Sequence, residues 1–232
     1  MIKVEIWSDF SCPFCYIGKT RLEKVLSEFK HKDDIQLVYR SYQLNPKAPM
    51  VNPLNAYETF AKLKEVTPQE AKAMFQNTVN SAKKIGLNFD YDKMQMTSTY
   101  HAHRLAKYAR TLKLEKELSN KLFSAYFEEG KNIADKDTLI DISKSLGMDE
   151  IKVAEVIDSR LYEKEVSLEV NEATSLGIEG VPFFIFNRDF AVHGAQSEET
   201  FKHALNKAYK DRLIPEDMSD EDDVVSCSVD GC

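Results

Sequence analysis

The sequence predicts an α/β fold with a long helical block inserted between its strands. Three observations indicate this fold class: a strand, helix, strand pattern over residues 1–42, a helical period over residues 56–176, and strand-like residues again after Gly177. The chain has 232 residues, of which 43% are hydrophobic, so it is long enough to bury a full core. We therefore expect one domain that carries an inserted subdomain.

The first elements are those of a βαβ unit. Residues 3–7 alternate as in a strand, residues 17–29 have helical spacing, and residues 35–42 alternate again with β-branched and aromatic side chains. Such a unit joins two parallel strands through a right-handed crossover. A loop with three prolines follows, at Pro46, Pro49 and Pro53.

The middle of the chain is predicted to be helical. Thr67, Pro68 and Glu70 form a capping-box pattern that starts a helix ending near Gly86. Further helices are predicted over residues 98–112, 114–129, 135–146, 149–157 and 162–176. We expect a helical subdomain over residues 56–176, inserted into a discontinuous domain of residues 1–55 and 177–212.

Strand signals return after the helical block. Residues 181–186 are rich in β-formers, a turn over residues 187–189 leads to a second strand over residues 190–193, and Ser197 caps a helix that reaches about Arg212. Pro182 cannot donate a ladder hydrogen bond, so it belongs at the start of its strand.

The last segment, residues 213–232, carries seven acidic residues and no lysine or arginine, while the whole chain has a net charge of −7. Its apolar residues are too few to pack, so we expect a flexible acidic tail. This tail holds a second cysteine pair, Cys227 and Cys232. A flexible chain from residue 215 to 227 would span roughly 20 Å, which is enough to reach the first cysteine pair. One interpretation is that the tail exchanges disulfides with that pair. The other is that it is a frayed end whose thiols oxidise adventitiously.

The first cysteine pair, in Cys12-Pro13-Phe14-Cys15, lies where the first strand gives way to a helix. Two cysteines three apart share one turn and can close a small disulfide ring. The helix N-terminus favours the thiolate of Cys12, which is the form that attacks disulfides. We predict Cys12 as nucleophile and Cys15 as resolving cysteine. Two inert buried cysteines, or half of a zinc site, are the alternatives.

The composition and the sequence pattern exclude several other classes of protein. The neutral body of the chain has no basic stripe for nucleic acid, no run reaches the ~18 apolar residues of a membrane helix, and four cysteines are too few for a secreted disulfide scaffold. The first residues also lack the pattern of a secretory signal. We expect a soluble, cytoplasmic protein that needs no cofactor and no metal, because its electrons reside on the two thiols.

The order of elements is that of a thioredoxin fold with a helical insertion, and the residues resemble the FrnE-like branch of the DsbA family. The resemblance extends from residue 1 to about residue 210. It is carried by SDFSCPFCYIGK (8–19), RLE (21–23), LNP (44–46), AHRL (102–105), LFSAYF (122–127), GIEGVPFF (177–184) and GAQ (194–196).

This resemblance implies a thiol-disulfide oxidoreductase or isomerase that acts on protein or small-molecule dithiols and disulfides. It implies a cis bond between Val181 and Pro182 beside the CxxC turn, with the Val181 backbone open to an extended substrate peptide. Pro13, Phe14 and Phe183, together with Val181, are the expected substrate contacts.

The sequence also departs from the family pattern. Phe14 stands where the group usually has tryptophan, and Ser98 where it usually has asparagine. Thioredoxin and DsbA have a buried acid about six residues before the first cysteine, where this chain has Ile6; Glu5 and Asp9 are the nearby substitutes. The resemblance places the helix with His103 and Arg104 over the active site, where His103 either stabilises a thiolate or is a satisfied core histidine.

Two other functions remain open at this point. One is a glutathione-dependent isomerase or transferase, similar to the kappa-class and hydroxychromene-carboxylate isomerase relatives, which typically have serine at the reactive position. The other is a zinc-binding interaction module in which Cys12, Cys15, Cys227 and Cys232 form one four-cysteine site. The direction of the redox reaction, the natural substrate, the proton acceptor for Cys15 and the oligomeric state are not set by the sequence.

Overall fold

The computed structural model describes residues 1–212. The predicted acidic tail, with Cys227 and Cys232, lies outside the described residues. Four strands are described: β1 (Ile2–Ser8), β2 (Ile35–Ser41), β3 (Phe183–Phe186) and β4 (Phe190–His193). The helices are α1 (Pro13–Glu28), α2 (Ala56–Lys64), α3 (Pro68–Lys83), α4 (Tyr100–Thr111), α5 (Glu115–Phe127), α6 (Lys136–Lys144), α7 (Glu150–Asp158), α8 (Glu163–Ser175) and α9 (Glu198–Asp211).

The four strands form one mixed sheet in the order β2-β1-β3-β4. The β1 strand runs parallel to β2, from the Ile2–Ile35 pair to the Ser8–Ser41 pair, as a βαβ unit requires. The β3 strand pairs antiparallel with both β1 and β4. The end of β1 therefore lies in the middle of the sheet, next to the start of β3.

The two faces of the sheet are covered by different helices. Alternate residues of β1, such as Val4 and Ile6, pack with residues of α1 and α9 in one apolar cluster. Trp7 points to the opposite face, where it packs with Ala173 of α8. The sheet is thus buried between α1 and α9 on one side and α8 on the other.

The seven helices α2–α8 lie between β2 and β3 in the chain. Thr67 and Glu70 make the predicted capping box at the start of α3. The sequence pattern did not predict α2 as a separate helix. Asn55 and Glu58 form a capping box at its start, like that of α3. None of the helices within residues 1–212 has both the length and the hydrophobicity of a membrane-spanning segment.

Candidate active site

The cysteine pair occupies the first turn of α1, at the helix N-terminus where the sequence predicted it, ahead of the residues 17–29 that have helical spacing. Cys12 is the N-cap residue in an extended conformation (φ −93°, ψ 112°), and Pro13 is the first helical residue. Proline is well suited to this position because its missing N–H would have no helical partner there. The Cys12 carbonyl accepts the Cys15 N–H at 3.0 Å, which closes the turn.

Both thiols are free and both are buried, Cys15 slightly more than Cys12. Cys12 is 5% exposed and Cys15 is 1% exposed. Burial, followed by the neighbouring Cys12, raises the pKa of Cys15 well above that of a free thiol, while contacts with the Ser8 side chain and the Asp9 backbone oppose the rise. Cys15 therefore holds its proton more tightly than an exposed cysteine would.

The loop before β3 forms the opposite wall of the site. The Val181–Pro182 peptide bond is cis, and the Val181 carbonyl oxygen lies 3.5 Å from Cys12 Sγ. The Pro182 carbonyl accepts the Gly194 N–H at 2.8 Å, which ties this loop to the end of β4. The structure thus brings Cys12, Cys15, Val181 and Pro182 together.

Gly18 lets α1 approach this loop closely. A Cβ atom at Gly18 would lie 3.2 Å from Pro182 Cγ, 3.2 Å from Phe184 Cζ and 3.3 Å from Ala195 Cα. Such separations are tighter than ordinary packing allows. The motif contained Gly18, but nothing local in the sequence indicated that it faces residues more than 160 positions away.

Asp9 lies directly before the cysteine turn and is fully buried. Its carboxylate accepts the Ser11 N–H at 3.2 Å and the Leu44 N–H at 2.7 Å, and its Oδ1 lies 3.3 Å from His103 Nε2. Burial alone would raise the pKa of Asp9, but the contacts with His103 and the Leu44 N–H lower it below its usual value. Asp9 is therefore ionised, and it connects the site to α4.

Glu5 and Arg104, the two other charged residues considered for the site, have different partners. Glu5 is paired with Arg40 and Arg188; burial opposes its ionisation, but these two guanidinium groups lower its pKa to about 2. Arg104, next to His103, donates to carbonyls at the end of α7, including those of Val156 and Ser159 at 2.7 Å each. Glu5 belongs to an ion cluster under β1, and Arg104 is a helix cap.

Two of the predicted substrate contacts lie on the cysteine turn, and Phe183 lies on the face of the sheet that α8 covers. Pro13 is partly buried and Phe14 is 48% exposed, both on the cysteine turn. Leu44, which the sequence reasoning did not name as a contact, is 49% exposed in the loop that Asp9 anchors. Phe183 packs near Trp7 and lies 4.3 Å from the His193 ring, on the face that α8 covers.

The sheet order, the cysteine pair at the N-terminus of α1 and the proline loop opposite it define a thioredoxin-like fold with a helical insertion. A family model described as a DSBA-like thioredoxin domain matches residues 3–206. The chain belongs to this DsbA-like family.

Solved structures agree with this assignment. A probable DsbA oxidoreductase from Streptomyces coelicolor is 31% identical, with a TM-score of 0.87 and coverage of 100% of this chain and 98% of that one. The 2-hydroxychromene-2-carboxylate isomerase is 17% identical over 91% of this chain and 98% of that chain, with a TM-score of 0.68. The cytosolic disulfide reductase DsbM from Pseudomonas aeruginosa, with GSH, is 18% identical over 90% and 99%, with a TM-score of 0.64. The last two likenesses show a shared fold.

Proposed function

We propose that the chain is a thiol-disulfide oxidoreductase that uses Cys12 and Cys15 as its redox couple. The observation that carries the proposal is the geometry of the two thiols in a DsbA-like fold. Cys12 lies at the helix N-terminus, 3.5 Å from the Val181 carbonyl, and Cys15 lies one turn deeper and buried. An extended substrate that pairs with the Val181 backbone would bring its sulfur within reach of Cys12.

In the reducing direction, the Cys12 thiolate attacks a substrate disulfide, forms a mixed disulfide and releases one substrate thiolate. The Cys15 thiolate then attacks Cys12 Sγ, which forms the Cys12–Cys15 disulfide and releases the second substrate thiolate. The substrate gains two electrons and the enzyme dithiol loses them. The same steps in reverse oxidise a substrate dithiol.

Insulin reduction with dithiothreitol as electron donor tests this proposal. Cys12→Ser should abolish turnover and form no mixed disulfide. Cys15→Ser should also abolish turnover and, when the reduced variant is mixed with insulin after removal of dithiothreitol, accumulate a covalent enzyme–substrate disulfide through Cys12, visible by mass spectrometry. Full insulin reduction by either variant would overturn the dithiol mechanism.

A glutathione-dependent isomerase or transferase is the second candidate function. The shared fold with 2-hydroxychromene-2-carboxylate isomerase and with DsbM in its structure with GSH favours testing it. It predicts tight glutathione binding and activity that survives Cys15→Ser. Calorimetric titration of the full chain with glutathione, in wild type and Cys15→Ser, separates it from the dithiol reaction.

A zinc-binding module remains the third candidate. No group of three metal-ligating side chains occurs within residues 1–212, and Cys227 and Cys232 lie beyond that part of the chain. The zinc proposal predicts about one zinc per chain after anaerobic purification, lost on Cys227→Ser. Metal analysis of both proteins decides it.

The tail cysteines are proposed as an auxiliary couple that exchanges with the first pair. In the sequence, Cys227 lies twelve residues after Pro215, a chain length that allows such exchange. If exchange occurs, Cys227→Ser/Cys232→Ser should change insulin turnover or the redox potential of Cys12–Cys15. Equal turnover and potential in the two proteins would remove this role.

We also propose a cytoplasmic location and the FrnE-like branch of the family. DsbM, which has the same fold, is described as cytosolic. Cell fractionation followed by immunodetection of the native protein tests the location. Recovery in a periplasmic or secreted fraction would contradict it.

A further inference from the structure

The proposed reaction requires the buried thiol of Cys15 to be deprotonated. To attack Cys12 Sγ it must lose its proton, yet it is only 1% exposed, so solvent has little access to it. Besides Cys12, the polar groups that act on its pKa are the Ser8 side chain and the backbone of Asp9, and both lower it. The Asp9 N–H can donate but cannot accept a proton, so Ser8 is the first group that can pass a proton on.

A small cavity of about 20 Å³ lies beyond Ser8 and has His103 of α4 in its wall. This volume is enough for one water molecule, which needs roughly 10 to 15 Å³. Ser41 also lines the cavity, and its buried hydroxyl has no hydrogen-bond partner among residues 1–212. The unpaired Ser41 hydroxyl is a hydrogen-bond partner for a water molecule at this point.

His103 lines this cavity and has one ring nitrogen that Asp9 does not contact. The ionised Asp9 carboxylate can only accept hydrogen bonds, so His103 Nε2, 3.3 Å away, must carry a hydrogen. A neutral imidazole then has a lone pair on Nδ1, and Nδ1 makes no hydrogen bond with any described residue. Asp9 thereby fixes the tautomer in which Nδ1 can accept a proton.

The other charged groups at the cavity are already paired. Lys107 contacts Glu169 at 2.6 Å and Glu115 at 3.5 Å, and Glu115 is also held by Arg110 at 2.9 Å. In addition, the Arg40 guanidinium pairs with Glu5, and the Tyr39 hydroxyl donates to Glu23 at 2.9 Å. Among the titratable groups that line the cavity, His103 is the one with an unengaged acceptor.

We propose that Ser8 and a water in this cavity relay the Cys15 proton to Nδ1 of His103, while Asp9 acts as the positioning residue for the imidazole. This inference rests on the proposed dithiol function. During resolution, the Cys15 proton passes to Ser8 Oγ, the Ser8 hydroxyl proton to the water, and a water proton to Nδ1. The Cys15 thiolate then attacks Cys12 Sγ and the substrate thiolate leaves, so no other reactant is needed. The Asp9 carboxylate stabilises the imidazolium, which returns its proton to solvent after turnover.

A two-phase reaction with 5,5′-dithiobis(2-nitrobenzoate) isolates this step. Attack by Cys12 releases one coloured thionitrobenzoate, and attack by Cys15 on the mixed disulfide releases the second. Because thionitrobenzoate is a good leaving group, loss of the Cys15 proton governs the second phase. The full-length chain is used with Cys227→Ser and Cys232→Ser, so that only the first pair reacts.

His103→Gln should slow the second phase at pH 7 by at least about tenfold, a modest share of the 10²- to 10⁴-fold effects known for positioned proton acceptors. The first phase should stay within about twofold. The second-phase rate of the variant should rise steadily with pH, because hydroxide can remove the proton directly, and should approach wild type at alkaline pH. Ser8→Ala should slow the same phase and leave the first unchanged.

His101→Gln is the matched control, because it makes the same change on the same helix at a half-buried histidine that does not line the cavity. It should leave both phases and their pH profiles unchanged. A second phase that His103→Gln and Ser8→Ala leave at wild-type rate and pH profile would overturn the relay. Absence of the first phase in the parent protein would instead overturn the proposed function.

Discussion

At the scale of single residues, Gly18 sets the distance between the two walls of the site. Its missing side chain leaves room for Pro182 and Phe184, whose nearest atoms would lie 3.2 Å from a Cβ at this position. The Val181 carbonyl can therefore reach Cys12 Sγ while α1 packs directly on the loop. A methyl group at residue 18 must move either α1 or the loop.

We predict that Gly18→Ala destabilises the protein by about 1 to 3 kcal/mol, the usual cost of overpacking, and lowers insulin turnover because the Val181 loop shifts. Gly180→Ala is the control, since a Cβ there meets nothing within 4 Å. Urea unfolding and insulin reduction of both variants check the prediction. Equal stability of Gly18→Ala and Gly180→Ala would contradict it.

Phe14 is the residue whose exposure best fits substrate contact. It is 48% exposed on the cysteine turn, so its removal leaves no cavity in the core. We predict that Phe14→Ala changes unfolding free energy by less than about 0.5 kcal/mol but raises KM for insulin several-fold. Leu168→Ala, at a 58% exposed residue of α8, should change neither quantity. An unchanged KM in Phe14→Ala would remove Phe14 from the binding surface.

The sequence could locate some of these residues and not others. Cys12 and Cys15 were identifiable because a CxxC pair between a strand and a helix is a local pattern. The Val181–Pro182 loop is 169 residues from Cys12, so only the family resemblance placed it there. The Asp9–His103 contact spans 94 residues between side chains with no recognisable spacing, and it became visible only in the fold.

At the scale of elements, a buried ion cluster fastens α8 of the inserted block to β2. The Glu169 carboxylate accepts the Ser41 N–H at 2.7 Å and lies 2.6 Å from Lys107 of α4 and 3.1 Å from Arg110. Burial opposes ionisation of Glu169, but Lys107 and the Ser41 N–H outweigh it and lower its pKa from 4.5 to about 2. One carboxylate thus joins three elements.

We predict that Glu169→Gln lowers the free energy of unfolding at pH 7 by roughly 3 kcal/mol, because it leaves buried cations without their partner. A carboxyl group whose pKa is lowered by folding stabilises the fold above its unfolded pKa. For Glu169 this contribution disappears as the pH falls from 4.5 towards about 2. The difference between wild type and Glu169→Gln should therefore shrink across that pH window.

Urea unfolding at pH 7 and pH 3 measures this difference. Glu165→Gln is the matched control, because Glu165 is exposed on the same helix and makes no ion pair among the described residues. Its stability should follow wild type at both pH values. A constant difference between wild type and Glu169→Gln at the two pH values would show that Glu169 is not the titrating group.

The elements themselves differed in how far the sequence predicted them. The α3 capping box was confirmed because Thr67, Pro68 and Glu70 interact within one turn. The helical spacing of α1 became visible only from residue 17, and the cysteine pair before it marked the N-terminus of the helix. Cluster residues such as Lys107 and Glu169 read as ordinary surface charges of amphipathic helices, since their burial depends on how α4, α8 and β2 pack together.

At the scale of the whole molecule, α1 shares one hydrophobic cluster with the inserted helices. Tyr16 and Ile17 of α1 belong to the same buried cluster as Leu105 of α4 and Phe123 of α5. The Tyr16 and Phe123 rings stack with centroids 5.1 Å apart. Removal of either part would expose this cluster to water, so the two parts stabilise each other.

We predict that both parts unfold in a single cooperative transition. Trp7 is the one tryptophan of the chain and lies buried in β1, so its fluorescence reports the sheet. Far-UV circular dichroism reports mainly the helices, of which seven in the described chain belong to the insertion. The two urea transitions should have the same midpoint and slope. A helical signal that survives after Trp7 becomes exposed would instead show that the insertion folds independently. The His103 side of the site would then be able to move separately from the cysteine turn.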